Sequence, residues 1–270
     1  MPAFLGRAAL ALAAIVIALP VRAQISDAQA EQLMKLSGGW AQIASMAPSL
    51  KSAFLEGLAK PGGTLDEATK QKLLASADQA FSADPMRAAA RRTLAEGVQA
   101  GYVPELLAWY RSDVGQRITR AEEASTADES RSNTEQRMKA GVAVLQAATP
   151  ERRALLARVV EVTRAAQTGA DFIVNLTLAV QANLARLTPN APPVDEAKTR
   201  AELDAARPQL MRAFEGMALA GNALTYRELP DAQLDAYVRF MSSAAGDHYT
   251  DLSSRAFEAA LLAAFGSLGR

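Results

Sequence analysis

Twice along this chain of 270 residues an apolar helical run is closed by a serine, two further residues and a glycine, after which a second helical run begins. The first instance is Val103-Pro-Glu-Leu-Leu-Ala-Trp-Tyr-Arg-Ser-Asp-Val-Gly115 and the second is Leu234-Asp-Ala-Tyr-Val-Arg-Phe-Met-Ser-Ser-Ala-Ala-Gly246. Ser112 and Ser243 are placed as N-caps, whose hydroxyls accept from orphan backbone N–H groups at the start of the next helix. Gly115 and Gly246 fall in that helix's first turn, where the missing Cβ lets another backbone come close, at some cost in helix propensity. The element is a helical corner, and the rest of the chain agrees with it. Aromatic residues make up only 6%, alanine is abundant, and no stretch of strand length alternates polar with apolar residues, so the chain is expected to be all-α.

The N-terminus reads as a processing signal. Arg7 precedes an apolar run from Ala8 to Pro20, and Val21-Arg22-Ala23 puts small residues where a signal peptidase needs them, so cleavage is expected after Ala23. The run is short for a membrane span, which needs roughly 20 apolar residues. Of the 29 basic residues, Arg7 and Arg22 leave with the leader; the remaining 27 face 29 acidic ones, which gives no charge reason to expect nucleic acid as a partner. There is no cysteine. An exported chain without disulfides must be held by packing, and without a cysteine it carries no lipoprotein anchor. The expectation is a soluble periplasmic or secreted protein with no transmembrane segment in its mature form.

Along the mature chain, Ser26-Asp-Ala-Gln29 is a capping box that starts the first helix. Leu36, Trp40, Ile43, Ala47, Leu50 and Phe54 form one apolar stripe, with a kink or break expected at Pro48. Lys60-Pro-Gly-Gly63 ends that segment, Thr64-Leu-Asp-Glu67 is a second capping box, and Asp84-Pro85 is a cap followed by a first-turn proline, opening a helix that stops near Gly101. The run from Thr119 to Lys139 is polar; it reads as a long exposed helix, the alternative being a frayed connector. Thr149-Pro150-Glu151 restarts the pattern. Phe172 to Val180 could be argued as a strand, but its continuation to Leu187 at helical spacing favours a buried helix. Thr188 to Pro193 is a loop. A helix with a joint at Pro208 and the turn from Tyr226 to Asp231 lead into the second corner.

The two corners align without gaps at a separation of 131, which also pairs Thr119 with Thr250. Gly39 with Gly169, Ile43 with Ile173, Asp66-Glu67-Ala68 with Asp195-Glu196-Ala197, and Met86-Arg87-Ala88 with Met211-Arg212-Ala213 recur at separations from 125 to 130. This points to an internal duplication: a leader at 1–23, one helical repeat with a polar connecting helix at 24–148, and a second at 149–270, forming two similar lobes. The alternative is that alanine-rich helices align with one another easily. At Trp109-Tyr110-Arg111-Ser112 with Gly115-Gln116-Arg117, and again at Phe240-Met241 with Ser243 and Gly246, the chain resembles the exported bacterial proteins of the domain of unknown function family 2059. Tyr226 and Leu229-Pro-Asp-Ala-Gln-Leu234 resemble the stretch before that family's corner. Asp113 and Ala244 stand where the family has a proline, and Met241 where it has a tyrosine. The resemblance implies an exported helical domain and carries no activity with it.

Motifs with chemistry are scarce. With no cysteine and His248 as the single histidine, zinc or copper binding is not expected. Calcium-loop and phosphate-loop signatures are missing, and no cofactor is expected. His248 would need a nucleophile and an orienting acid to act as a base; adjacent Asp247 points about 100° away on a helix, so a surface or packing histidine is the preferred reading. Glu122-Glu123 and Asp128-Glu129 read as the solvated face of a polar helix. Tyr110, Arg111 and Arg117, with His248, are candidate binding residues facing a groove; the alternative is that large side chains at the corners serve packing. The expected function is a non-enzymatic exported protein that binds an envelope protein or other partner. Two alternatives are a carrier of a lipid or other apolar small molecule in a cleft between lobes, and a hydrolase whose nucleophile lacks the usual Gly-x-Ser-x-Gly or Ser-x-x-Lys context.

Overall fold

The structure is a computed structural model that describes residues 24–59, 66–129, 133–187 and 195–269. The leader, the Lys60–Gly63 and Thr188–Pro193 loops and the start of the second capping box lie outside the described residues. Among the described residues the chain forms twelve α-helices and one turn of 3-10 helix, with no strand.

Helix α1 (Asp27–Leu36) opens on the reciprocal capping box: Ser26 Oγ accepts from Gln29 N at 3.2 Å and Gln29 Oε1 accepts from Ser26 N at 3.0 Å. The apolar stripe then divides between Leu36 and Gly39, earlier than the kink or break expected at Pro48. Gly38 takes a φ of +79°, a left-handed conformation open to glycine at no steric cost, and α2 (Gly39–Ala59) sets off in a new direction. Pro48 does not break α2, and Pro208 does not break α10 (Glu196–Thr225). Both prolines lie on exposed faces, where water can satisfy the carbonyl that each leaves without a donor.

Asp66 caps α3 (Glu67–Ala80), its carboxylate accepting from Thr69 N at 2.8 Å. The next helix, α4 (Ala83–Gly97), begins after Ser82, so Asp84 lies in its first turn instead of capping it. It ends four residues before Gly101. A 3-10 turn (Ala100–Tyr102) leads to α5 (Val103–Arg111), α6 (Asp113–Glu129) and α7 (Thr134–Ala147). The polar run from Thr119 to Lys139 is thus shared between two helices, the second capped by Asn133, which accepts from Glu135 N at 2.8 Å. Thr149 caps α8 (Pro150–Val162), accepting from Arg152 N at 3.1 Å. The chain continues through α9 (Ala165–Leu187) and α10 to α11 (Asp231–Met241) and α12 (Ala244–Ser267).

The two corners have matching geometry. Ser112 and Ser243 have φ, ψ of −68°, 156° and −72°, 160°. Each hydroxyl accepts from the glycine N–H three residues on, at 3.0 and 3.1 Å, and each serine N–H donates to the carbonyl three residues back, at 2.9 Å. A Cβ on Gly115 would overlap the Trp109 carbonyl oxygen, and one on Gly246 would overlap that of Phe240. The corners also pack on one another: the Trp109 and Phe240 rings, equivalent at the same separation of 131, stack with centroids 4.5 Å apart and planes 8° from parallel.

Other sequence matches do not carry over into equivalent places. The joint between α1 and α2 turns on Gly38 and that between α8 and α9 on Arg164, the one non-glycine with positive φ (52°) among the described residues. Gly39 has room for a Cβ, whereas one on Gly169 would run into the Phe214 ring. Met86 is fully buried and Met211 is exposed. Asp66 and Asp195 are an exception: each caps the helix it opens, its carboxylate accepting from Thr69 N at 2.8 Å and from Lys198 N at 2.9 Å.

A single hydrophobic cluster runs from Ile25 to Leu268. The most extensive helix pairing is α12 along α4; α10 packs between α9 and α7, and α11 lies on α8. The last helix of each half therefore lies on a helix of the other half, α7 on α10 and α12 on α4. The described residues of 24–148 and 149–270 interleave around one core instead of standing side by side as two lobes, and Phe81, between α3 and α4, meets Phe265 near the end of α12 edge-on at 5.2 Å.

Candidate functional site

Interleaving leaves a cavity of about 500 Å³ where α2, α4, α6, α9 and α12 converge beside the first corner. Helix α6 crosses it and decides its character. Its apolar stripe, Val114 and Ile118, continues at the same spacing into Glu122 and then Ser125 and Thr126, so the inward face changes from apolar to polar without leaving the core. The reading of Glu122-Glu123 as a solvated face is corrected here: both residues line the cavity. They are turned inward because α2, α10 and α11 pack on that side of α6.

Two tyrosines from other elements meet Glu122. Tyr226, at the end of α10, donates its phenol O–H to Glu122 Oε1 at 2.6 Å; Tyr237, on α11, donates to the same oxygen at 3.0 Å. The turn that brings them together is clamped by Arg152, which donates to the Tyr226 carbonyl at 2.7 Å and pairs with Asp231. Glu122 Oε2 has no hydrogen-bond partner among the described residues, yet it is not sealed from space. Burial pushes the Glu122 carboxyl above the ordinary glutamate range; the two phenol hydrogen bonds pull the other way, and the nearby Glu123 charge adds to the rise.

The remaining wall is rich in hydroxyls. Ser37 and Tyr249 share a hydrogen bond of 2.9 Å across the cavity, Thr225 donates to Ser125 at 2.8 Å, and Arg137 donates to the same Ser125 oxygen at 3.0 Å. Tyr110, buried, meets Tyr249 edge-on at 5.6 Å. Burial raises the Tyr249 phenol to about 12 and pushes those of Tyr110, Tyr226 and Tyr237 well above the usual tyrosine value. The four phenols are therefore neutral donors and acceptors throughout the physiological range. No lysine, arginine or histidine is among the lining residues; Glu122 and Glu123 are the only ionisable groups besides the phenols.

Of the residues singled out in the sequence, the structure puts only Tyr110 in this wall. Arg111 and Arg117 are exposed on the outside of the first corner. His248 is elsewhere again, accepting a hydrogen bond from Gln99 N at 3.3 Å with its ring 5.2 Å from Tyr102, so it ties the 3-10 turn to α12. The four are not brought into one groove. Ser112, Gly115, Ser243 and Gly246 build the two corners described above. Sequence reasoning missed Glu122, Tyr226, Tyr237 and Tyr249. The one available signal was the position of Glu122, four residues past Ile118 on the apolar stripe of α6.

Among the described residues no helix is long and apolar enough to cross a membrane, and no group of three or more metal-ligating side chains occurs. No curated protein and no solved structure matches the chain. Residues 84–143, which hold α4, α5, the first corner, Glu122 on α6 and most of α7, match the model of the family described as uncharacterized protein conserved in bacteria (DUF2059), and over that stretch the chain is similar to this family.

Proposed function

We propose that this is an exported, non-enzymatic helical binding protein of the bacterial cell envelope, and that it works by holding a small ligand in the central cavity. The observation that carries this reading is the cavity itself: about 500 Å³, within the usual size of small-molecule sites, with hydroxyls, phenols and a partly unpartnered carboxylate converging on it. The composition of the wall favours a polar ligand over the lipid or other apolar molecule that the amino-acid pattern alone allows. Export rests on the leader pattern of residues 1–23, with cleavage after Ala23 freeing Gln24 two residues before the first capped helix.

The halves are read as two copies of one unit that have grown into each other. Support comes from the equal backbone angles, caps and glycine crowding at Ser112 and Ser243, and from the stacking of equivalent Trp109 and Phe240.

The experiment is native mass spectrometry of the mature protein purified gently from a periplasmic fraction, beside an Asn222→Phe variant that fills the cavity from α10. The expected result is an N-terminus at Gln24 and a bound small molecule that the variant lacks. Protein that is empty in both forms, and that shows no thermal stabilisation by any small-molecule probe, overturns the reading.

A further inference from the structure

We propose that the ligand of this cavity is a small organic cation, an amine or quaternary ammonium, with its charge at Glu122 Oε2 and its carbon body against the tyrosine rings. The inference rests on the cavity being a ligand site, and adds the chemistry of what fills it. Its basis is an imbalance. A half-open cleft of this size among the helices brings two carboxylates, Glu122 and Glu123, into one space, and no basic side chain lines it; the Arg137 guanidinium, bonded to Ser125 of the wall, is already paired with Asp128. Buried charges are normally paired, because burial without a partner is costly. The phenols of Tyr226 and Tyr237 satisfy one oxygen of Glu122 and leave the other facing the cavity.

What the wall offers beside that oxygen is also suited to a cation. Tyr110, Tyr226, Tyr237 and Tyr249 present aromatic surface, which attracts ammonium groups most strongly where water is excluded. The hydroxyl of Thr126, which donates to the Glu122 carbonyl at 3.0 Å, can accept from an ammonium N–H group. An anion would meet two carboxylates and no counter-charge. A neutral molecule would leave Glu122 Oε2 as it is.

The charge at the site responds to pH in one direction. The ionisable groups around Glu122 are Glu123 beside it on α6, the phenols of Tyr226 at the end of α10, Tyr237 on α11, Tyr110 on α5 and Tyr249 on α12, and, behind Ser125, the guanidinium of Arg137 on α7, which is paired with Asp128. The phenols do not ionise below about pH 10, so the charge that binding senses is that of the Glu122 carboxyl, which burial raises above the ordinary glutamate range. A cation favours ionised Glu122, so its binding weakens as the solution becomes acidic.

The test is isothermal titration of the mature protein with two pairs of probes matched in shape. These are choline against the neutral alcohol in which carbon replaces its nitrogen, and benzylammonium against benzyl alcohol, with benzoate as the anion. At about pH 8 at least one cation is expected to bind about tenfold or more tighter than its neutral partner, with the advantage shrinking at about pH 5. Glu122→Gln, which keeps an acceptor for both tyrosines, is expected to abolish the preference while the circular dichroism spectrum stays helical. If the variant does not fold, the matched pairs on the native protein decide. Neutral probes or benzoate binding as tightly as the cations overturn the charge assignment and leave the cavity reading standing. Failure of every probe, charged or neutral, removes both.

Discussion

Glu122 is a half-buried carboxyl group roofed by two phenols, and that makes the stability of the protein depend on pH in a defined sense. Its folded-state pKa is raised above the ordinary glutamate value by burial. Between those two values the native state binds more protons than the unfolded state, so stability falls as pH rises. The contribution is fully present below the ordinary value and gone above the folded one. Glu122→Gln removes this dependence and keeps an oxygen for Tyr226 and Tyr237. In thermal melts across about pH 4 to pH 8, the melting temperature of the variant relative to the native protein is expected to rise with pH. The gain levels off at about 1.4 kcal/mol for each unit by which the pKa was raised. A difference that stays flat with pH contradicts the burial of this carboxyl.

At the scale of elements, the corners are where a small change has most leverage. The carbonyl oxygens of Trp109 and Phe240 occupy the space a Cβ on Gly115 or Gly246 would need. The obstacle is backbone in both cases, and no side chain can swing aside. Gly115→Ala and Gly246→Ala are each expected to cost about 1–3 kcal/mol in chemical denaturation, by overpacking. Gly101→Ala, with open space around it, serves as the control and is expected to be near neutral. A corner that accepts alanine without loss would show that its two helices do not meet as closely as described. Arg164 makes the opposite point: a non-glycine holds a left-handed joint because α12 supplies Asp247 and Asp251 to pair with its guanidinium.

Taken whole, the molecule has one core into which both halves send helices, and this predicts one unfolding transition. Trp40 and Trp109 both lie in the first half, so tryptophan fluorescence reports on residues 24–148 while helical circular dichroism reports on the entire chain. The two denaturation curves are expected to coincide, as they do for a single cooperative unit. Two separated transitions would mean that the halves are independent lobes after all. Coincidence follows from α12 lying on α4 and α10 on α7, since neither half keeps a covered apolar face when the other unfolds.

The amino-acid sequence by itself determined the local features of this protein. The helical class, the capping box at Ser26, the cap at Thr149 and the serine-glycine corners each depend on residues within four positions of one another, and short-range sterics and hydrogen bonding suffice to specify them; the second capping box was read at Thr64, whereas Asp66 caps α3. Where a feature depends on what covers a surface, only the tertiary structure decided it. Glu122 belongs to a run as polar as any solvated helix, and it is turned inward because Tyr226 and Tyr237, 104 and 115 residues later, close over it. Pro48 and Pro208 stay within unbroken helices because packing put them on wet faces, and the stripe through Leu36 divides because Gly38 must turn beneath α6. Side-chain patterns record which face of a helix is apolar; they do not record which distant helix will arrive to bury the rest, and in this chain the candidate binding residues lie on that unrecorded side.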